Sequence, residues 1–151
     1  MTDTGAIPAA IEALEPFVGE WHMAVDLAPD PTVATRASTT FEWLVGKRFL
    51  VQRWEVEHPD APDGIAIIGF DPTKGTFLQH YFDSRGVARV YDMAFSNGVW
   101  GLERFASDPD FSQRFTGRFS QDGDSIVGGW EISKDGSSWS PDFTLTYSRV
   151  T

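Results

Sequence analysis

A chain of 151 residues has the length of one ordinary domain, which buries a hydrophobic core without help from disulfides or metals. The chain has no cysteine, and this excludes a disulfide framework, a thiolate nucleophile and cysteine-ligated metal sites. Its formal net charge is −10 and no basic stripe interrupts the acidic residues, so we expect no nucleic-acid partner.

The N-terminus does not have the pattern of a secretory signal. Asp3 stands where a signal peptide carries Lys or Arg, and no long apolar run follows it. No segment approaches the ~18 consecutive apolar residues of a membrane span. We therefore expect a cytoplasmic protein without a membrane span, folded as a single domain over residues 1–151 with a loose tail over residues 1–7.

One amphipathic segment near the N-terminus predicts a short helix. In "PAAIEALEPFVG", Ile11, Leu14 and Phe17 recur three residues apart and so share one face. Pro8 suits the start of a helix and Gly19 suits its end. We expect this helix to cover one end of the structure that follows.

The rest of the chain is patterned as strands separated by regular turn signals. Asp or Asn stands one to four residues before a glycine in "DPTKG", "DSRG", "SNG", "QDGD" and "KDG", which is the chemistry of hairpin turns. Consecutive hairpins give an antiparallel meander, and closing the meander into a barrel removes its two edges. We therefore predict an all-β fold, a single antiparallel barrel of about ten strands. The predicted strands lie near residues 19–27, 36–46, 48–58, 64–71, 76–83, 86–95, 98–105, 111–120, 125–133 and 139–149, with a longer loop over residues 28–36.

Alternation along the strands predicts which side chains face the interior. In "KRFLVQRWEVEH", Arg53, Glu55 and Glu57 share one face, which places Gln52 and Trp54 on the opposite, inner face. The same argument places Gln113 and Trp130 inside, and Trp43 adds an aromatic wall. A buried polar side chain needs a partner, which is another side chain, a water molecule or a ligand. These residues therefore predict a cavity that binds a small molecule, with aromatic side chains filling the interior as the alternative.

The stretch "HYFDSRGVARVYDM" concentrates polar residues in one hairpin. We predict that "DSRG" is its turn, so that Ser84 is not a nucleophile. We expect the two strands to send His80 and Tyr91 into the cavity, with the direction of Arg89 left open. Strand alternation also offers a competing inward set, which consists of Phe77, Gln79 and Tyr81.

The two ends of the barrel sequence resemble the calycin pattern of lipocalins and fatty-acid-binding proteins. "GEW" follows the short helix and opens the first strand with Gly19 and Trp21, and "YSRV" places Arg149 on the inner face of the last strand. The resemblance implies a calycin-like barrel in which Arg149 lies across Trp21 at the closed end. A guanidinium packs well on an indole face, and it can also bind the carbonyl groups at a helix end.

The chain is also similar to a bacterial family of uncharacterised lipocalin-like proteins. The matching stretches are "GKRFL", "GFD", "YFDSRGVARVY", "FSQRFTG" and "WEISKDGSSWSPDFTLTYSR", which cover most of residues 44–149. This resemblance implies the barrel fold and assigns no catalytic residue. Nitrobindin, a haem-binding barrel, is a more distant resemblance. It supplies an iron-ligating His from near its C-terminus, whereas His80 is the last His here, and His22, rather than the further glycines of nitrobindin, follows Trp21.

The leading functional prediction is the binding of a small apolar or aromatic molecule inside the barrel, with no cofactor and no metal. The alternatives are an enzyme that uses His80 as acid or base, a haem-binding protein that uses His80, and a non-catalytic interaction module with a filled core. The sequence leans away from catalysis because it has no nucleophile elbow, and its three His are too far apart for a local metal motif. The sequence does not decide whether the protein forms a homodimer.

Overall fold

The computed structural model describes residues 6–27, 34–44, 46–106 and 109–151. Residues 1–5 of the predicted tail and most of the predicted loop over residues 28–36 lie outside this description. Helix α1 spans Ala6–Glu12, and a 3-10 turn follows at Glu15–Phe17. No helix among the described residues is long and apolar enough to cross a membrane.

Ten antiparallel strands follow the helix and close into one barrel, which confirms the predicted fold class. Each strand pairs with its neighbours in sequence, and β1 pairs with β10 to close the ring. The strands are β1 (Gly19–Leu27), β2 (Ala34–Leu44), β3 (Phe49–Val56), β4 (Gly64–Asp71), β5 (Thr76–Asp83), β6 (Ala88–Ser96), β7 (Val99–Arg104), β8 (Ser112–Phe119), β9 (Ser125–Ser133) and β10 (Ser140–Arg149).

The helix lies at the end of the barrel where β1 begins and β10 ends, and this end is closed by aromatic side chains. Phe17 is completely buried at the centre of this floor. Its ring centroid lies 4.8 Å from that of Phe95, 5.0 Å from that of Trp100 and 5.0 Å from that of Phe119. Such tilted and edge-on contacts suit aromatic quadrupoles, so the short helix is fixed by packing rather than by its own length.

Arg149 ties the helix end to the closing strand. The guanidinium carbon lies 4.1 Å from the ring centroid of Trp21, its partner across β1 and β10, so the contact predicted from the sequence is present. One Nη donates to the carbonyl oxygen of Val18 at 2.8 Å, and the other donates to those of Pro16 at 2.7 Å and Gly123 at 3.1 Å. These carbonyls end the 3-10 turn and the β8–β9 connection, and the fork geometry of arginine lets one side chain serve all three.

A candidate ligand-binding chamber

Above the aromatic floor the barrel encloses a chamber of about 370 Å³. Strands β1, β3 and β5 to β10 all contribute to its walls. Residues from the β3–β4, β5–β6 and β7–β8 connections also line it, and these connections lie at the end opposite the helix. The chamber therefore opens away from the floor, and the interior is not completely filled by side chains.

Six of the side chains predicted to bind a ligand line this chamber. They are Gln52, Trp54, Arg89, Tyr91, Gln113 and Trp130. Trp43 does not line it, because it lies near the closed end of β2 and packs there against the core. The structure therefore brings most of the predicted set together, although these residues come from four different strands.

The expectation that His80 points into the barrel is wrong. On β5 the side chains of Phe77 and Gln79 are buried, whereas that of His80 is exposed on the outer wall beside Val90. Alternation then places Tyr81 on the inner face, where it lines the chamber. The inward residues of β5 are therefore Phe77, Gln79 and Tyr81, the alternative that strand alternation also allowed.

The cause of this error is the length of the β5–β6 turn. A turn over residues 83–86 would pair His80 with Arg89, but the structure pairs Arg89 with Tyr81 and Tyr91 with Gln79. A shift of one residue moves every side chain of a strand to the opposite face. The sequence predicts a turn at Asp83 and Gly86, but it does not predict at which residue the turn ends and β6 begins.

The "DSRG" segment is a turn, as predicted. The Asp83 carboxylate accepts hydrogen bonds from the backbone N–H of Arg85 at 2.9 Å and of Val87 at 3.4 Å. Gly86 has a φ of 85°, which glycine adopts without steric cost. Ser84 is exposed, and its hydroxyl accepts a hydrogen bond from the backbone N–H of Asp63 at 3.1 Å. Its hydroxyl is therefore engaged in joining two loops.

Polar side chains of this turn reach the mouth of the chamber. The hydroxyl of Tyr81 donates to Asp83 at 2.6 Å, and the guanidinium of Arg85 donates to the same carboxylate oxygen at 2.7 Å. Burial raises the pKa of Tyr81, and the hydrogen bond to Asp83 adds to this shift. Burial also works to raise the pKa of Asp83, but hydrogen bonds from Arg85, from Tyr81 and from the backbone outweigh it and hold that pKa well below its usual range.

Gln113 is the centre of a second polar cluster in the wall. Its amide oxygen accepts hydrogen bonds from the hydroxyl of Tyr91 at 2.8 Å, from Nη1 of Arg89 at 3.3 Å and from Nε of Arg104 at 3.3 Å. Arg104 also donates to both carboxylate oxygens of Asp110, at 3.0 and 3.2 Å. Burial raises the pKa of Tyr91 against the lowering effect of the two arginines, so its phenol is a hydrogen-bond donor at neutral pH.

Two residues that line the chamber each have a buried polar atom without a partner in the described part of the chain. They are the amide oxygen of Gln79 and the indole Nε1 of Trp100. Gln79 is 4 % exposed and Trp100 is 2 % exposed, and both side chains line the chamber. Most buried polar groups in proteins are paired, so these two atoms are exceptions, and they belong to side chains that form the chamber wall.

Sequence reasoning missed several residues that line the chamber or its clusters. Arg104 stands at the end of β7, and no alternation pattern connects it with Gln113 nine positions later. Asp142 enters the lining through a register shift between Pro141 and Phe143 in β10. An alternation pattern cannot predict such an irregularity, because the pattern assumes a regular strand.

The described residues contain no group of three or more His, Asp or Glu that is arranged to hold a metal ion. Each His lies away from the chamber lining, and His80 in particular faces outward. The position of His80 therefore contradicts the two alternatives that give it a role inside the barrel, as an acid–base group or as a haem ligand.

Comparison with known proteins agrees with the barrel fold. A family described as "Protein of unknown function (DUF1579)" matches residues 9–119. The chain belongs to this family. The crystal structure of Rv2717c from M. tuberculosis is similar with a TM-score of 0.65 and 17 % identity, over 94 % of this chain and 98 % of that one. At this identity the likeness shows the fold alone. The comparison with curated proteins found no match.

Proposed function

We propose that this DUF1579 protein binds a small, largely aromatic or apolar molecule inside its barrel. The observation that carries the proposal is an open chamber inside the barrel, lined mainly by aromatic and apolar side chains with a few polar groups such as Gln52, Tyr91 and Gln113. The volume of about 370 Å³ lies at the small end of the ~300–1,000 Å³ range of ligand pockets.

The walls favour an aromatic ligand. The ring centroid of Trp130 lies 5.5 Å from that of Tyr91 and 5.2 Å from that of Phe115, and Phe115 in turn lies 4.9 Å from Trp100. These rings form a continuous surface along one side of the chamber. An aromatic ligand packs against such a surface by the same tilted contacts that the rings make with one another.

An interaction module with a filled core is the remaining alternative, and the empty volume speaks against it. A chamber of this size costs stability, because the side chains around it make fewer packing contacts than those of a filled core. A ligand that fits the chamber restores these contacts. Binding therefore accounts for the chamber, which an interaction module with a filled core does not need.

The test uses N-phenyl-1-naphthylamine, a neutral aromatic probe that becomes fluorescent in an apolar site. We expect saturable binding at one site per chain. Val25 lines the chamber and Val127 lies on the outer wall of β9, where it is 58 % exposed. Val25→Trp fills part of the chamber and should weaken probe binding at least tenfold, whereas Val127→Trp is the matched control and should bind like the wild type.

The proposal is wrong if the wild type does not bind the probe saturably. It is also wrong if Val25→Trp binds the probe as tightly as Val127→Trp does, because the probe would then bind outside the barrel. Circular dichroism of both variants establishes that each one retains the β-barrel fold before the affinities are compared.

A further inference from the structure

We propose that the ligand carries a carboxylate and that this carboxylate binds Arg89 near the open end of the chamber. The inference rests on the proposed function and deepens it, because it assigns a chemical class and an orientation to the ligand. It follows from an excess of hydrogen-bond donors and of positive charge around Gln113.

The donors around Gln113 exceed the acceptor that they share. Its amide oxygen has two lone pairs, yet it faces the hydroxyl of Tyr91 and two guanidinium groups. The shortest of the three hydrogen bonds is that of Tyr91 at 2.8 Å, and those of Arg89 and Arg104 are stretched to 3.3 Å. A carboxylate placed here would supply the missing acceptor atoms without breaking the existing contacts.

The charges are unbalanced in the same place. Arg104 forms a bidentate ion pair with Asp110, and one face of each guanidinium lies near the ring of Phe111, with distances of 5.3 Å for Arg89 and 5.4 Å for Arg104. Arg89 is half-buried, and among the described residues no carboxylate lies within 4.0 Å of it. Arg89 also interacts electrostatically with Asp110, but that carboxylate is already bound by Arg104. A guanidinium that is partly withdrawn from water without a carboxylate of its own favours the binding of an anion.

The other charges at the open end fix the side on which the anion binds. Arg85 is already paired with Asp83, so this pair adds no net positive charge. Asp60 and Asp142 also line the chamber, and burial raises the pKa of Asp142. A carboxylate would avoid these two acids and would bind on the side formed by β6, β7 and β8, where Arg89 and Arg104 converge.

This placement gives the ligand one orientation. The carboxylate would lie beside Arg89 and the hydroxyl of Tyr91, and the aromatic body would extend toward Trp130 and Trp100. Bidentate recognition of a planar carboxylate is a property of arginine that glutamine does not share. The proposed ligand is therefore a small aromatic or apolar carboxylic acid.

The test compares naphthalene-2-carboxylate with the neutral and nearly isosteric naphthalene-2-carboxamide by isothermal titration calorimetry at pH 7.5. We expect the wild type to prefer the carboxylate at least tenfold. Arg89→Gln should reduce this preference to less than twofold. Arg118→Gln makes the same substitution at an exposed position on the outer wall of β8, and it should keep the wild-type preference.

The preference is the ratio of the affinities for the carboxylate and for the carboxamide, and both are measured on the same protein. A general loss of stability in a variant therefore does not produce the expected change in this ratio. A wild type that prefers the carboxylate less than twofold overturns the inference even if Arg89→Gln fails to fold. Retention of the preference in Arg89→Gln overturns it as well. In either case, saturable binding of N-phenyl-1-naphthylamine leaves the proposed function standing, whereas a failure of that neutral probe to bind removes both.

Discussion

Replacement of Arg149 by alanine should destabilise the barrel more than replacement of any arginine on the outer wall. Its guanidinium contacts the indole of Trp21 and three backbone carbonyl oxygens, and Nε lies 3.3 Å from the carboxylate of Asp124. It therefore connects the 3-10 turn, the closing strand and the β8–β9 connection. Removing it separates elements that are adjacent only because the barrel closes.

The size of the expected loss in stability follows from the contacts that Arg149→Ala removes. The cation–π contact contributes about 0.5–2 kcal/mol. A hydrogen bond from a charged donor contributes about 1.5–3 kcal/mol, but the carbonyl oxygen of Pro16 is exposed and water replaces its donor at little cost. The two partly buried carbonyls, those of Val18 and Gly123, are less readily hydrated. We expect a net loss of about 3 kcal/mol in the free energy of unfolding, because contacts made by one side chain do not add fully.

The assay is equilibrium unfolding in urea, followed by tryptophan fluorescence and by far-ultraviolet circular dichroism. For a domain of this size the loss corresponds to a decrease in Tm of about 6–12 °C. Arg149→Lys keeps the charge but lacks the planar fork, and it should recover less than half of the loss. Arg118→Ala is the control and should change stability by less than about 0.5 kcal/mol. If Arg149→Ala loses no more stability than this control, the role assigned to Arg149 is refuted.

Three further predictions concern packing, pH and the hairpin turn. A Cβ on Gly128 would lie 2.4 Å from the ring of Phe115, so Gly128→Ala should lower the free energy of unfolding by about 1–3 kcal/mol. A Cβ on Gly129 would make ordinary contacts, with the methyl group of Thr144 at 3.7 Å and the carbonyl oxygen of Phe143 at 3.9 Å, so Gly129→Ala should be nearly neutral in the same urea titration. Because hydrogen bonds hold the pKa of Asp83 below its value of about 3.9 in the unfolded chain, its contribution is present above that pH and is lost as the pH falls toward the lower folded-state pKa. The stability difference between the wild type and Asp83→Asn should therefore shrink below about pH 4, and a constant difference from pH 7 to pH 2 would contradict this. Ser84→Ala should bind N-phenyl-1-naphthylamine as the wild type does, and a loss of more than about tenfold would restore a role for this hydroxyl in the site.

The fold is predictable from the sequence because each of its signals is local. Turn chemistry such as that of Gly86 and Gly123 depends on two to four consecutive residues, and both glycines have positive φ values in the structure. The alternation that places Gln52 and Trp54 inside depends on one strand whose outer face is charged. Closure of the barrel is predictable because an open meander would leave the backbone N–H and C=O groups of two edge strands unpaired.

The direction of His80 could not be predicted, because it depends on one residue in the length of a turn. Both faces of β5 carry apolar side chains, with Phe77 on the inner face and Phe82, 42 % exposed, on the outer face. Composition therefore does not distinguish the two registers. The backbone pairing decides, because Asp83 N–H donates to the carbonyl oxygen of Val87 and leaves Ala88 opposite Phe82.

The same reasoning shows why the partners of Gln113 are harder to predict than its inward direction. Arg114 and Arg118 on the outer face of β8 are sufficient to place Gln113 inside. Its three donors come from β6 and from the end of β7, so their convergence requires the pairing of three strands in one register. Alternation predicts that a polar side chain points inward, but it does not predict which side chains contact it. The chemistry of a barrel interior depends on those contacts. A site of this kind can therefore be identified only when the strand registers are known. The sequence leaves the direction of Arg89 open, yet the proposed ligand class depends on this residue.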